Sequence, residues 1–483
     1  MSYYLLHNHD DEGSNTRLID TINRVGPLLE RGFELGASGL AITDHESLSA
    51  HVTAENFIEK KRQEDSNWQK FKLIRGNEIY LCRNGLNADN FERGVDYFYH
   101  FILLAKDEKG HEQLRQLSTI AYKRSFVRNN MVRPLIYFAD LKQIIGQDSG
   151  HVIGSSACLG SMIDKMLLAG EPQEKIHSFV EFLQKVFGYN NFYLELQPSK
   201  QKDQLKVNKM LLKLSEETGA KAIITTDSHM LRAEDLPLQR AFLNSKDGDR
   251  EVDDFYASAY TMSEEEIHSY LDSNIGAEKV NECLRNTCLI GDQIEEYSLK
   301  KPFKLPFIPL HTEERTDLPE ELKGNEKFLR FLNSPEASDR IFINRIVSFM
   351  EKGDEWFDRD FWFRPESIER LSLELDYLWI SSETQKMKWT KYLLQMADYI
   401  EIIWRDGNTI IAPGRGSAVS ETLNYMLGIT QINPLAEKAP MKPWRFRENR
   451  PRKTGRTQAK AVYDLFMLTG KSKSFDMTIP CRA

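Results

Sequence analysis

Seven short apolar runs, each closed by polar residues, constrain this chain more than any other feature. They are SYYLLHNH, SGLAITDH, FKLIRGNEIYL, YHFILLAK, HVIGSSACLG, NFYLELQ and KAIITTDSH, and all lie within residues 1–295. Runs of this length bounded by turn residues read as strands. Between several of them sit amphipathic helices such as DTINRVGPLLERGFELGAS, with Val25, Leu28, Leu29 and Phe33 at helical spacing. Strands alternating with helices imply βα units, hence an α/β fold with a mainly parallel sheet. Seven such strands are enough to close into a barrel.

Near residue 300 the pattern stops. SLKKPFKLPFIPLHTEERTDLP carries four prolines and little periodicity, so residues 296–320 read as a linker. Residues 320–405 are helical in pattern, with charged faces and several tryptophans. NTIIAPGRGSAVSETLNYMLGI then reads as strand, glycine turn and helix, and the last forty or so residues lack clear periodicity.

Charge gives no global sign of a nucleic-acid partner: 64 basic residues stand against 72 acidic, a net charge of -8. A local basic groove remains compatible with that total. From Lys442 to Ala483, eleven Lys or Arg stand against three acids. The five cysteines, Cys82, Cys158, Cys283, Cys288 and Cys481, are few and irregularly spaced, which fits a reducing compartment. Cys283 and Cys288 read as core packing in a helix. The N-terminus lacks the basic start and long apolar run of a signal peptide, and no apolar run approaches a membrane span. A cytoplasmic protein with no membrane partner is expected.

Polar residues able to hold metal recur where the apolar runs stop. His7 and His9 end the first, and at i and i+2 on an extended chain they point to one side. Asp44 and His45 end GLAIT, Glu78 lies in LIRGNEIYL, Cys158 follows HVIGSSA, and Asp227 and His229 follow KAIITT. His100 is the exception, because it opens the run FILLAK. In a parallel βα barrel the strand C-termini converge on one face. There such a set would offer nitrogen, oxygen and sulfur to divalent metals. Each residue alone also has an ordinary reading: surface or core histidine, packed cysteine, salt-bridged Glu78, helix-capping Asp227. Recurrence at separate strand ends favours the metal site.

The segments HNHDDEGSNTRLIDTINRV, LAITDHESLSAH, RGNEIYL, HFILLAKDEKGHEQLRQLS, GHVIGSSACLGS and IITTDSHMLRAED resemble the PHP (polymerase and histidinol phosphatase) domain. The form they resemble stands at the start of bacterial C-family replicative DNA polymerases, the DNA polymerase III alpha subunits. The resemblance implies a distorted (βα)7 barrel over 1–295, followed by a partial α+β polymerase palm over 321–440. It also implies a nine-ligand set. His7 and His9 match its opening His-x-His and Asp20 the carboxylate that follows. His45 matches the histidine of Thr-Asp-His, Glu78 its Glu, His100 its next histidine, and Cys158 its Cys-or-His position. Asp227 and His229 match the closing Asp-x-His. A complete set implies two or three divalent ions (Zn, Mn or Fe) and hydrolysis of phosphate esters, with 3′ ends of DNA or pyrophosphate as substrate.

PGRGSAVSETLNYMLGITQINPL, residues 413–435, is the second motif. Backbone N–H groups at a helix start, with an arginine, suit a phosphate. The string resembles the C-family palm segment that contacts the incoming nucleoside triphosphate, which would give that role to Arg415, Gly416 and Ser417. The Asp-x-Asp pair that holds Mg²⁺ for polymerisation should follow. The chain instead carries Asp464 and Asp476, too far apart and in another context. The basic tail, 441–483, reads either as a nucleic-acid-binding extension or, as the loss of periodicity favours, as a frameshifted segment beginning near Phe446. Reading the coding DNA in its other frames would separate the two.

The expectation is therefore the N-terminal portion of a DNA polymerase III alpha-like replication protein. Its PHP domain would act as a metal-dependent 3′→5′ exonuclease, and these 483 residues by themselves would not polymerise DNA. DNA, a nucleoside triphosphate, a sliding clamp and other replisome subunits are the partners the resemblance implies. A free-standing PHP phosphoesterase acting on a small phosphorylated metabolite or pyrophosphate is the alternative, against which GRGSA…LGITQINPL stands. A metal-free scaffold is a third reading. No residue is singled out as a general acid or base.

Overall fold

The computed structural model describes residues 2–12, 20–128, 131–245, 254–302, 304–407, 409 and 411–436. The chain divides into two compact units between Lys301 and Pro302. Residues 294–302 and 304–319 carry no helix or strand. Asp464, Asp476 and the whole tail from 441, with the reading-frame change expected near Phe446, lie outside the described residues.

Ten strands form the first unit among the described residues: β1 (Tyr4–Leu5), β2 (Gly39–Ile42), β3 (Lys72–Cys82), β4 (Tyr99–Ala105), β5 (Phe126–Arg128), β6 (Met131–Arg133), β7 (Ile136–Tyr137), β8 (Val152–Ser155), β9 (Phe192–Leu196) and β10 (Lys221–Ile224). All seven runs read as strands from the sequence are among them. The main sheet has the order β1-β2-β3-β4-β8-β9-β10, with β7 against the far end of β3, while β5 and β6 form a separate hairpin. Most pairs are parallel, as expected from βα units.

The departure is β4, which runs antiparallel to both β3 and β8. A parallel connection needs a crossover, usually helical. Residues 83–98 contain no helix, so the chain folds straight back and β4 reverses.

Alternation along the strands divides the apolar residues into two layers. Tyr4, Leu6, Ala41, Ile74, Ile102, Leu104, Ile153, Tyr193 and Ile223 face the inside of the curled sheet. Leu5, Leu40, Ile42, Phe101, Leu103, Val152, Phe192, Leu194 and Ile224 face the surrounding helices. The edges β1 and β10 are not joined along their length. At one end helix Ala277–Gln293 covers the seam: Tyr4 donates its N–H to Thr287 Oγ1 (3.0 Å) and Asn286 Nδ2 donates to Ala222 O (2.8 Å). Ile290 of this helix and Ile294 beyond it complete the inner layer. Cys283 is buried in the same helix, as its packing reading expects. At the other end Asn8 bridges to Ser228, with His9 N–H donating to Ser228 O at 3.0 Å. The sheet is thus a half-barrel stitched shut at its two ends, and the second stitch is made by the His-x-His segment.

In the second unit every regular element among the described residues is a helix. Helices Ala337–Lys352, Pro365–Thr384 and Trp389–Asp406 bury Phe342, Ile346, Leu371, Leu375, Leu378, Leu393 and Leu394 together with Trp362. The strand expected before the glycine turn is not formed at 411–412. The single helix expected after the turn is instead a 3-10 segment, Gly416–Ser420, and a short helix, Thr422–Met426. Glu374 explains the break. Its buried carboxylate accepts the N–H groups of Thr422 and Leu423, each at 2.9 Å, and so starts a new helix there while Glu421 stays extended.

Candidate metal centre

The nine residues singled out in the sequence meet at one end of the half-barrel. His7 and His9 lie just past β1, on a segment fixed by Asn8, whose Nδ2 donates to Leu5 O and Ala41 O at 3.0 Å each. Their Nε2 atoms stand 3.1 Å apart. His45 pairs with Glu78 in continuation of the β2–β3 register. Glu78, two pleats above Ile74 on the inner face, projects into the middle of the group.

His100 joins because β4 is reversed. Its position at the start of β4 pairs with Tyr80 near the end of β3, so the residue that opens its run stands beside residues that close theirs. The exception noted in the sequence is a consequence of strand direction.

The contacts form a continuous ring. Cys158 Sγ lies 3.4 Å from His100 Nδ1, which lies 2.7 Å from Glu78 Oε1. Glu78 Oε2 is 2.8 Å from His45 Nδ1 and 3.2 Å from His9 Nε2. Asp20 Oδ2 is 3.4 Å from both His45 Nε2 and His229 Nε2. Asp227 Oδ1 lies 3.1 Å from His9 Nε2, 3.2 Å from His7 Nε2 and 3.5 Å from His229 Nδ1. All but the half-buried His100 are buried.

Burial and charge oppose each other here. Burial would lower the His7 pKa, but Asp227, Glu195 and Glu78 outweigh it and hold it well above the usual value. His9, likewise buried, is raised to about 10 by its hydrogen bonds and charge contacts with Asp227 and Glu78. Burial would raise Glu78, yet His45, His100 and His7 hold it well below the carboxylate range. Burial, then Asp227 and Glu78, push the Cys158 thiol well up. The site therefore keeps its carboxylates ionised by gathering positive charge around them, which imidazolium protons or metal ions can provide.

The donors fit cations. Three overlapping groups, His9/His45/His229, His7/His9/Glu78 and His45/Glu78/His100, each bring their ligand atoms within 4.8 Å of one another. Ligands about 2.1 Å from a tetrahedral ion stand about 3.4 Å apart, close to the separations above. Among the described residues, three of the four non-glycine residues with left-handed backbone flank or belong to this set: Glu46 (φ 52°), Ala157 (φ 63°) and Asp227 (φ 44°). Such conformations cost roughly 1–3 kcal/mol each and collect at functional sites.

Two residues act differently from their sequence reading. Asp44, also at a strand end, meets the ring through its backbone, its O accepting the Glu78 N–H at 3.1 Å, while its carboxylate Oδ1 accepts the Asp10 N–H at 2.7 Å and shapes the loop beyond His9. Glu195, absent from the sequence-derived set, stands 2.6 Å from His7 Nδ1 and also accepts from Ser155 Oγ (2.8 Å), Gln197 Nε2 (3.0 Å) and Thr225 Oγ1. This fixes the ring so that Nε2 faces the cluster. The signal was a carboxylate in NFYLELQ at an inner-face position, two residues after Tyr193.

The PGRGSAV segment lies in the second unit. Gly414 has φ +135°, and a Cβ there would fall 2.4 Å from Val419 Cγ1, so only glycine fits this turn. Arg415 is extended and exposed, with no ion-pair partner among the described residues. Ser417 follows on the 3-10 segment.

Comparison with known proteins accords with this geometry. Residues 6–199 match the PHP domain, and residues 349–468, past Phe446, match the bacterial DNA polymerase III alpha NTPase domain. The first unit is thus a PHP-type α/β domain. Over most of its length the chain is similar to DNA polymerase III alpha proteins. The DNA polymerase YorL of Bacillus subtilis and the DNA-directed DNA polymerase of Bacillus phage SPbeta are each 35% identical over 452 residues, 90% of this chain and 34% of theirs. The DNA polymerase III subunit alpha of Borreliella burgdorferi is 27% identical over 435 residues, 89% of this chain and 33% of that one. The chain spans about a third of the length of these curated relatives. No described helix is long and apolar enough to cross a membrane.

Proposed function

We propose that the first unit is a divalent-metal phosphoesterase that removes nucleotides from 3′ ends of DNA, within a protein that replicates DNA. The observation that carries this reading is the ring of His7, His9, Asp20, His45, Glu78, His100, Cys158, Asp227 and His229 at one end of the sheet, all buried but the half-buried His100. Those residues would hold two or three ions of Zn, Mn or Fe. Such ions supply Lewis acidity toward a phosphodiester and make water a nucleophile at neutral pH. The protein's own part is geometric. Glu195 orients His7, Asn8 spaces His7 from His9, the reversed β4 delivers His100, and Glu78 joins the two sides of the ring.

The second unit is read as the beginning of the polymerase, with Arg415, Gly416 and Ser417 facing the phosphates of a nucleoside triphosphate. Mg²⁺ chemistry, DNA synthesis, the sliding clamp and other replisome partners belong to the whole protein on this reading.

The test is hydrolysis of 3′-labelled single-stranded DNA by Mn²⁺-loaded protein beside its His9→Ala variant. Shortening of the label by the first and not the second is expected. Intact DNA in both, with pyrophosphate or a small phosphate ester hydrolysed, would replace this reading by the small-molecule phosphoesterase.

A further inference from the structure

A cleft of about 630 Å³ lies between helices Lys202–Thr218 and Glu264–Ile275, away from the nine-residue ring. That volume is in the range of ligand sites. Lys200, Lys206 and Lys209 line it with Ser199, Ser273 and Tyr270. None of the three lysines has a carboxylate within ion-pair distance among the described residues, although the chain is acidic overall. Asp272, beside the lining residue Ser273, is paired with His268 (2.6 Å), while Asp203 lies in the first turn of the same helix as Lys206 and Lys209 without forming an ion pair with any of the three lysines among the described residues. Lys206 and Lys209 stand one turn apart on one helix face, roughly 5–6 Å at Cβ. Lys200 Nζ sits 5.6 Å from the Tyr270 ring centre. The result is a row of lysines beside hydroxyls.

The cleft is built onto the metal site's scaffold. Ser199 and Lys200 follow β9 as Asp227 and His229 follow β10, at the same end of the sheet. Asn208, fully buried, accepts the Gln197 N–H (3.3 Å) and donates to Gln197 O (2.9 Å) and to Asn274 Oδ1 (3.5 Å) in the cleft wall. Gln197 in turn donates to Glu195, which holds His7.

We propose that this cleft binds the phosphodiester backbone of a single DNA strand whose 3′ end enters the metal centre. A row of exposed lysines suits successive phosphates of a strand, whereas a lone phosphate is better met by converging donors. The inference rests on the exonuclease reading for its direction, but its test does not require hydrolysis.

Anisotropy of fluorescein-labelled dT20 is followed in EDTA with the full chain, its Lys200→Ala/Lys206→Ala/Lys209→Ala variant and the matching triple arginine variant. The alanine variant is expected to bind about tenfold more weakly at low salt. Its slope of log Kd against log salt should be smaller by about 2, since each strand phosphate contact contributes about 0.7. The arginine variant should keep both. Equal affinity and slope in the alanine variant would overturn the proposal. So would pyrophosphate binding that the three alanines abolish while dT20 binding stays intact. Loss of DNA hydrolysis in the metal-loaded wild type, with lysine-dependent strand binding retained, would end the exonuclease reading and leave the cleft standing.

Discussion

Glu195 Oε1 lies 2.6 Å from His7 Nδ1, on the side of the imidazole away from the other ring members. The carboxylate sets the tautomer and the direction of Nε2. Glu195→Gln keeps the shape and removes the charge, and outer partners of this kind are worth roughly 10–100-fold in metal affinity. Metal content after dialysis against a competing chelator should fall accordingly. Wild-type retention in the variant would show that His7 is oriented without it.

Gly160 donates space to His100. A Cβ at this position would stand 2.9 Å from the His100 ring, while Gly160 O already accepts the His100 N–H at 3.1 Å. Gly160→Ala is expected to push the imidazole off Glu78 and lower activity at subsaturating Mn²⁺ by about tenfold. Added Mn²⁺ should restore part of it. Unchanged metal dependence would mean that His100 has room to move without consequence.

His51 and His111 form a second buried pair, Nδ1 to Nε2 at 3.0 Å, remote from the ring contacts. Burial, then His111 and Arg75, lower His51 to about 3; burial, then Arg115 and Arg75, lower His111 to about 4, with Glu55 and Glu108 opposing. Both folded values lie below the ~6.5 of an unfolded histidine. As pH falls from about 6.5 toward 4, the unfolded chain takes up protons that the folded pair refuses, so stability declines with pH. His111→Gln should reduce the slope of unfolding free energy across that window by about 1.4 kcal/mol per pH unit. Denaturant titrations of both proteins at several pH values measure it, and identical slopes would exclude a neutral pair.

Glu374 holds the segment after the glycine turn through Thr422 and Leu423, and is itself held by Arg370 Nε at 2.6 Å. Glu374→Ala leaves two buried N–H groups without their acceptor and removes the carboxylate from Arg370, whose Nη2 still donates to Ser420 O (2.6 Å). A loss of about 3 kcal/mol is expected, with faster amide exchange confined to residues 413–430. Uniform exchange across the helices would show that the turn does not depend on this carboxylate.

Much of the first unit is legible in the chain itself. The seven apolar runs are strands, and the repetition of metal-binding residue types at their ends marks a common rim. Period-two alternation is a local property, so a run such as YHFILLA announces its two faces before it finds a partner. The β5–β6 hairpin and β7 were not read as strands from the sequence. The glycine turn of the second unit divides in the same way. Gly414 is recognisable as a turn, but the 3-10 segment after it depends on Glu374, forty residues and more away in sequence.

The sequence by itself determined which side chains could bind metal and on which strands they sit, because residue type and periodicity are written locally. Tertiary structure decided how His100 reaches them, since only the reversal of β4 brings the start of one strand beside the ends of others. It also decided that Glu195 aims His7 and that the Asp44 carboxylate does not join the ring. Those outcomes depend on strand direction and on which neighbours meet across the sheet, and contacts between distant segments leave no periodic trace in the chain.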